Sequence, residues 1–454
     1  MRRIGSRLQR WREDPLLGRV VRNSSYLSSG NILAAGLSFI QGILAARLLG
    51  VKALGEVTIV ILIVTAVNVL LSFRMSEVVV KHVHQALADD REDEAAAIVK
   101  GAALTEGLTS VAAYLVLILL SGWAARVFLK DPASQPLIVF YGLIILSNLI
   151  FETSRGVLQT YGQFGRFAII YLSQTILTFI IILLAFLSRT PSIPLVLTAY
   201  VAGKTLAGIA IVVLALRVLN QKLPGWRSTP LRAYTGWRGL LNFALNTNLN
   251  GTVNLFVRDN VPLYIAALAS TTEVGYFNVA FGFTNLLMLP IEPFIWPTYT
   301  EITRSISKGQ LDATRRLLKR VSALSTAWVL AAGAGIVLLG WWFIPLLYGA
   351  RYAPAYPAAV ILIAGYGFAS IFGWNRPLLL ALGMPSFPVV VAAGVGAVEL
   401  ALIFGLVPST GYLVASAILS GYLIVSIGII VWRGVRELRH RSALAVEAAR
   451  SEPA

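Results

Sequence analysis

The chain has 454 residues, 57% of them hydrophobic and 13% charged, with a mean hydropathy of +0.75 and a net charge of +17. Soluble domains carry about 25% charged residues, so the composition excludes a water-soluble protein and places the chain among integral membrane proteins. It contains no cysteine and three histidines, His82, His84 and His440, which excludes disulfides and thiolate metal sites and disfavours a histidine metal cluster.

The first segment, residues 1–24, is basic with scattered apolar residues and has no small-residue cleavage site. It reads as an interfacial cytoplasmic tail rather than a removable signal peptide. Windows of about 20 apolar residues then predict twelve spanning helices. The first six lie at Ser25–Arg47, Leu54–Phe73, Gly101–Gly122, Pro136–Arg155, Phe167–Leu187 and Ile193–Leu216. The second six lie at Arg238–Leu268, Tyr276–Thr298, Val321–Phe343, Ala355–Asn375, Ser386–Val407 and Gly411–Trp432. The expected organisation is an N-lobe over 25–219, a basic linker over 220–237, a C-lobe over 238–433 and a cytoplasmic tail over 434–454.

Of the 38 lysines and arginines, only Arg47, Lys52, Arg126, Lys130, Arg189 and Arg351 fall in outward connections, and Lys204 and Arg258 fall inside spans. The rest lie in the tails and inward loops. That bias follows the positive-inside rule with both termini cytoplasmic. The positive charge is therefore read as membrane orientation, not nucleic-acid binding.

Between the second and third spans, "DREDE" (Asp90 to Glu94) clusters carboxylates beside His82 and His84. The acidic run reads as a solvated helix start, and the histidines as surface residues lacking a third metal ligand. "TAYVAGKT" (Thr198 to Thr205) ends like a phosphate-binding loop, but its first glycine is replaced by Thr198 and it lies in an apolar span. Nucleotide binding is rejected on that ground.

An ionised group at the bilayer centre costs about 2.5–3.5 kcal/mol even on lenient scales, so it faces a cavity or a partner. Lys204 lies near the middle of span six; Arg258 and Asp259 lie together in span seven; Glu106, Glu152 and Glu399 lie in apolar windows. Arg74, Arg155 and Arg376 stand near inner helix ends, where headgroup anchoring competes with a cavity role. Helix–helix bonding competes with ion coupling for the three glutamates. In span seven, Asn242, Asn246, Asn250 and Asn254 are four apart, share a helical face and lead to Arg258. Such a stripe lines a wet groove, with Asp259 as counter-ion or protonatable group. Span eight holds Pro290, Pro293 and Pro297 around Glu292, so a bend is expected there, as a hinge or as a static kink.

The halves resemble each other at an offset of about 220 residues. "LLGVKALGEVTIV" stands opposite "ALASTTEVGYFNVA", matching Gly55 with Gly275, and "SRGVLQTYG" opposite "NRPLLLALG", matching Arg155 with Arg376 and Gly162 with Gly383. Six spans per half give repeats of equal orientation about an axis along the membrane normal, with a substrate site between them.

Asn31 with "GILAARLLGVKALGEV", the stretch "LNTNLNGTVNLFVRDNVPLYIAALASTTEVGYFNVAFGF" and "PAAVILIAGYGFASIFGWNRPLLLALGMP" together resemble bacterial polysaccharide and O-antigen flippases. These belong to the multidrug/oligosaccharidyl-lipid/polysaccharide (MOP) exporter superfamily. The resemblance runs from about Asn23 to Arg433 on diffuse motifs. It implies an all-α, MATE-like fold of two six-helix lobes in the bacterial inner membrane. It also implies flipping of undecaprenyl-pyrophosphate-linked oligosaccharides for O antigen, capsule or exopolysaccharide, with a polymerase and chain-length machinery downstream. Cavity arginines would hold the pyrophosphate. Arg74 matches a basic position of the relative that flips the peptidoglycan precursor, whereas Gln41 stands where that relative has a first-span arginine. That departure and the twelve spans argue against the peptidoglycan precursor. No cofactor is expected; proton or sodium coupling through Asp259, Glu152, Glu292 or Glu399 stays open. The competing readings are a cation-coupled drug exporter and a membrane glycan polymerase or ligase; short outward connections disfavour the enzyme.

Overall fold

The computed structural model describes residues 33–72 and 75–451, and all regular structure among them is helical. In chain order the helices are α1 (Leu33–Leu49), α2 (Val51–Leu71), α3 (Met75–Ala88), α4 (Glu92–Ala124), α5 (Gln135–Ser147), α6 (Phe151–Thr160), α7 (Phe164–Leu187) and α8 (Ile193–Lys222). There follow α9 (Trp237–Asn254), α10 (Val261–Leu268), α11 (Thr271–Met288), α12 (Glu292–Ser307), α13 (Leu311–Tyr348), α14 (Ala355–Ile371), α15 (Asn375–Ala381) and α16 (Ser386–Ser451). Where they are described, the expected spans fall on helix; residues 25–32 of span one and Phe73 of span two lie outside the described residues. Among the described residues eight helices are long and apolar enough to cross a membrane, and nine if the bent pair α11–α12 is one span.

Side-chain exposure shows why the chain needs lipid. On α4, Leu104, Leu108, Leu115 and Leu119 are exposed while Ala102, Glu106, Ala113 and Leu117 on the opposite face are buried. An apolar stripe of that length facing outward is an interface, and along a helix of this length it faces hydrocarbon. The acidic run after Arg91 opens the same helix, with Glu92, Asp93 and Glu94 in its first turn. There their charge complements the helix dipole.

Among the described residues four spans are interrupted. Span four stops at Ser147 and restarts at Phe151; span ten stops at Ile371 and restarts at Asn375. Span seven passes through a π-helical turn, Leu255–Asp259, before α10. Span eight bends by 45° between α11 and α12, where the prolines cluster. Spans eleven and twelve are parts of α16 separated at Gly411, whose φ of 71° and ψ of −160° are not helical.

The described chain groups into two compact units, Gly36–Gly275 and the chain from Tyr276 onward with the start of α1. In the first, α3, α4, α6, α8 and α9 share one core around Met75, Val79, Ile98, Val157, Ile211 and Leu240. In the second, α12, α13, α15 and α16 enclose Ile302, Leu318, Trp374, Leu378 and Ile430.

The repeat seen in the sequence is present in the backbone. The short helices after the two breaks, α6 and α15, end on Gly162 and Gly383, with φ of 66° and 81°. In each case the following amide bonds back to the helix: Gln163 N to the Leu158 carbonyl (2.8 Å) and Met384 N to the Leu379 carbonyl (2.9 Å). This is the left-handed glycine terminus that satisfies the last carbonyls of a helix. Gly55 and Gly275 also correspond, and they lie where α2 crosses the start of α11. A Cβ on Gly55 would run into the Thr271 carbonyl, and one on Gly275 into the Val51 carbonyl. Small residues that let backbones touch drive helix association in membranes, where no hydrophobic expulsion assists it.

Candidate functional site

Span seven carries the Arg258–Asp259 pair at the place where its helix changes pitch. The α-helical ladder of asparagines holds as far as Asn254; the next turn is π, so Arg258 does not simply extend it. Arg258 Nε donates to Asp259 Oδ1 at 2.8 Å, and the two side chains are 44% and 46% exposed. Asn260, which follows, is buried with an Oδ1 that accepts no hydrogen bond among the described residues, as is that of Asn248. Asn242 is exposed and Asn254 half-buried. The side chains of Asn246 and Asn250 lie outside the described residues, as do Asn31 and Arg74. π turns in transmembrane helices free carbonyls and recur at functional sites. Here Tyr264 Oη donates to the Phe256 carbonyl at 2.7 Å. Tyr264→Phe is therefore expected to cost about 1 kcal/mol, read as a lowered thermal midpoint in detergent. An unchanged midpoint would mean that bond contributes nothing.

A second polar group surrounds the restart of span four. Ile150, at the N-cap position of α6, has no side-chain oxygen to offer the first amides. Glu106 of α4, 2% exposed, supplies it: its Oε1 and Oε2 accept from the amides of Glu152 and Thr153, each at 2.8 Å. Unmet amides in hydrocarbon cost several kcal/mol each, and the helix dipole adds attraction for a carboxylate. Glu152 in turn accepts from Ser76 Oγ (2.5 Å) and from Arg155 Nη1 (3.5 Å). The Arg155 guanidinium lies over Phe167, 5.8 Å from the ring centre.

The remaining candidates are divided between the two units, and each has its own surroundings. Gln41 is buried and donates to the Thr175 carbonyl at 2.6 Å, a bond between α1 and α7. Lys204 is half-buried with its ammonium 5.8 Å from the Tyr141 ring. Arg376 and Glu292 are exposed, and Glu292 begins α12 beyond the bend. Glu399 is 2% exposed, and neither of its oxygens has a hydrogen-bond partner among the described residues. Among the described residues no three histidine, aspartate or glutamate side chains converge as a metal ion would require. Sequence reasoning weighed Glu106 only as one of several buried carboxylates. The polar group "NLIFETSR" inside an apolar window was the available sign that span four breaks.

A family model described as polysaccharide biosynthesis protein matches residues 43–357. No curated protein matches the chain. Among solved structures, the chain is similar to an inward-facing multidrug resistance MATE family transporter of the MOP superfamily. There the TM-score is 0.71 at 12% identity, covering 90% of this chain and 95% of that one. It is similar to the lipid II flippase MurJ in an inward closed conformation, with TM-score 0.70, 14% identity and coverage of 94% and 92%. A MOP superfamily transporter from Pyrococcus furiosus, reported to have a binding pocket of reversed polarity, gives 0.66 at 13% identity over 95% and 97%. At these identities the likeness is one of fold.

Proposed function

The chain belongs to the polysaccharide biosynthesis protein family, and from that membership we propose that it is a flippase. Its substrate is a polyprenyl-pyrophosphate-linked oligosaccharide, taken from the cytoplasmic to the periplasmic leaflet of a bacterial inner membrane by alternating access. The observation that carries the reading is the family match over a multi-pass fold of the MOP type, together with cationic side chains inside its spans.

The physical task fits those residues. A sugar-pyrophosphate head cannot enter hydrocarbon unaided, because each stripped polar group costs several kcal/mol. Arginine offers a bidentate fork to phosphate and lysine a point charge. Arg258, Arg155, Arg376, Arg74 and Lys204 are the residues assigned to the anionic head, and the asparagines of span seven to the sugar hydroxyls. The polyprenyl tail stays in lipid. An inside-negative potential favours outward movement of the anion by about 2.3 kcal/mol per charge per 100 mV. Both termini are assigned to the cytoplasm from the distribution of lysine and arginine. The second reading, a cation-coupled drug exporter, draws support from Glu399, a buried carboxyl whose oxygens have no hydrogen-bond partner among the described residues.

The test is a leaflet assay in proteoliposomes with an undecaprenyl-pyrophosphate-linked oligosaccharide. Wild type is expected to move the lipid without forming a new glycosidic bond, and Arg258→Ala to slow it about tenfold or more, the loss of one charged hydrogen-bond donor. Asp259→Asn separates a counter-ion from a coupling group through its pH dependence. Export of organic cations in place of the lipid would sink the flippase reading, and bond formation would make the protein an enzyme.

A further inference from the structure

The restart of span four holds an arginine by a route that runs through another helix. The first free amides of α6 have no local acceptor, and the carboxylate that meets them comes from 46 residues earlier, at Glu106. Fixing those amides fixes the first turn of α6. That turn presents Glu152, tied to Ser76 on α3, and Arg155 projects just beyond it. Arg155 stacks over Phe167 and makes one long bond to Glu152, while its Nε is buried without a hydrogen-bond partner among the described residues. The Arg155 side chain is 40% exposed, and its guanidinium thus has donors left over for an oxyanion.

The second unit repeats the plan with different side chains. Span ten breaks before Asn375, and Trp374 at the break donates through Nε1 to Ser322 Oγ of α13 at 2.7 Å. Ser322 Oγ itself donates to the Ile371 carbonyl at 3.1 Å. Arg376 then follows within a turn, at the position corresponding to Arg155. A broken span, pinned by the span before it and carrying an arginine, therefore occurs twice in one chain.

We propose that Glu106 is a positioning residue whose hold on the amides of Glu152 and Thr153 aims Arg155 at the phosphate of the lipid-linked substrate. This rests on the flippase reading. A carboxylate that served only to keep α6 folded would act independently of Arg155, and that difference is measurable. Glu106→Gln keeps the volume and one acceptor oxygen but turns an amide N–H₂ toward the other backbone N–H.

The experiment has two arms. In proteoliposomes with undecaprenyl pyrophosphate bearing one N-acetylhexosamine, the initial flipping rates of wild type, Glu106→Gln, Arg155→Ala and the double variant form a cycle. Each single change is expected to slow flipping about tenfold, with the double variant no slower than Arg155→Ala. Losses that multiply toward about a hundredfold, the signature of independent sites, would overturn the proposal, as would a Glu106→Gln protein flipping at the wild-type rate.

The second arm needs no substrate. The chain has no cysteine, so Arg155→Cys places a single thiol at the position in question. Its reaction rate with a charged thiol reagent is expected to change several-fold when Glu106→Gln is added; an unchanged rate overturns the proposal. Wild type that flips nothing while the thiol rates differ defeats the flippase reading and the phosphate role with it, leaving the hold of Glu106 on position 155 established. Wild type that flips normally while the rates agree defeats the positioning role alone.

Discussion

Gly55→Leu should leave almost no folded protein in detergent extracts, although it adds a favoured helix former to a transmembrane helix. The reason is what lies opposite. A Cβ at Gly55 meets the carbonyl of Thr271, and the reciprocal Gly275 position meets the carbonyl of Val51. Both obstacles are backbone, so no side-chain rotamer can turn aside, and α2 and α11 would have to separate along their crossing. Overpacking in cores costs about 1–3 kcal/mol when neighbours can shift; here they cannot, and a loss at or above that range is expected. Gly394→Ala is the control. Nothing lies within 4 Å of the added carbon there, and exchanging a helical glycine for alanine gains up to about 1 kcal/mol. The measurement is the yield and thermal midpoint of each variant in the same detergent. Gly55→Leu purifying with the wild-type midpoint would show that the two helices do not touch as described.

The correspondence of Gly55 with Gly275 was readable before any coordinates, because a repeat leaves paired residues at a fixed spacing. That the two glycines meet each other was not readable. The spacing says which residues are equivalent, whereas contact depends on how the helices cross. The spans were legible for a similar reason: a window of about 20 apolar residues is a property of local composition. Of their interruptions, the one expected from the sequence is the one that a cluster of prolines marks. Span eight, with Pro290, Pro293 and Pro297, bends where its prolines cluster. Span four breaks at residues 148–150, where no proline stands. Its mean hydropathy hides the gap.

The charged residues divide along the same line. Arg258 and Asp259 are adjacent, so their pairing at 2.8 Å was open to sequence reasoning. The π turn that carries them was not anticipated, although Pro262 stands just after it, at the start of α10. Gln41, which stands where a relative has a first-span arginine, donates its amide to the Thr175 carbonyl, a partner 134 residues away that its own surroundings in the sequence do not point to. Glu106 and the amides of α6 are far apart in the chain, and a carboxylate in an apolar window gives no hint of which backbone it will cap. Nothing local separates it from Glu399.

Yet those two glutamates should answer the same substitution in opposite ways. Both are 2% exposed and both stand in transmembrane helices. Glu106→Leu strips the acceptors from two amides at a buried site, at about 1–3 kcal/mol for each unsatisfied group, so about 2–6 kcal/mol of stability should go. Glu399→Leu removes a carboxyl group whose oxygens bond to nothing among the described residues. Burying a polar group without a hydrogen bond is itself a cost, and replacing it by a well-packed apolar side chain of similar volume is often neutral or stabilising. The thermal midpoint of Glu106→Leu should therefore fall well below wild type, while that of Glu399→Leu stays level or rises. A fall for Glu399→Leu as large as that for Glu106→Leu would mean that its carboxyl has a structural partner after all. If Glu399→Leu is stable but its transport loses its dependence on a pH or sodium gradient, the carboxyl is retained for the cation it meets during the cycle and not for the fold. The stability of Glu106→Leu tests the cap itself, separately from any role of Arg155, because the amides lose their acceptors whether or not a substrate is present.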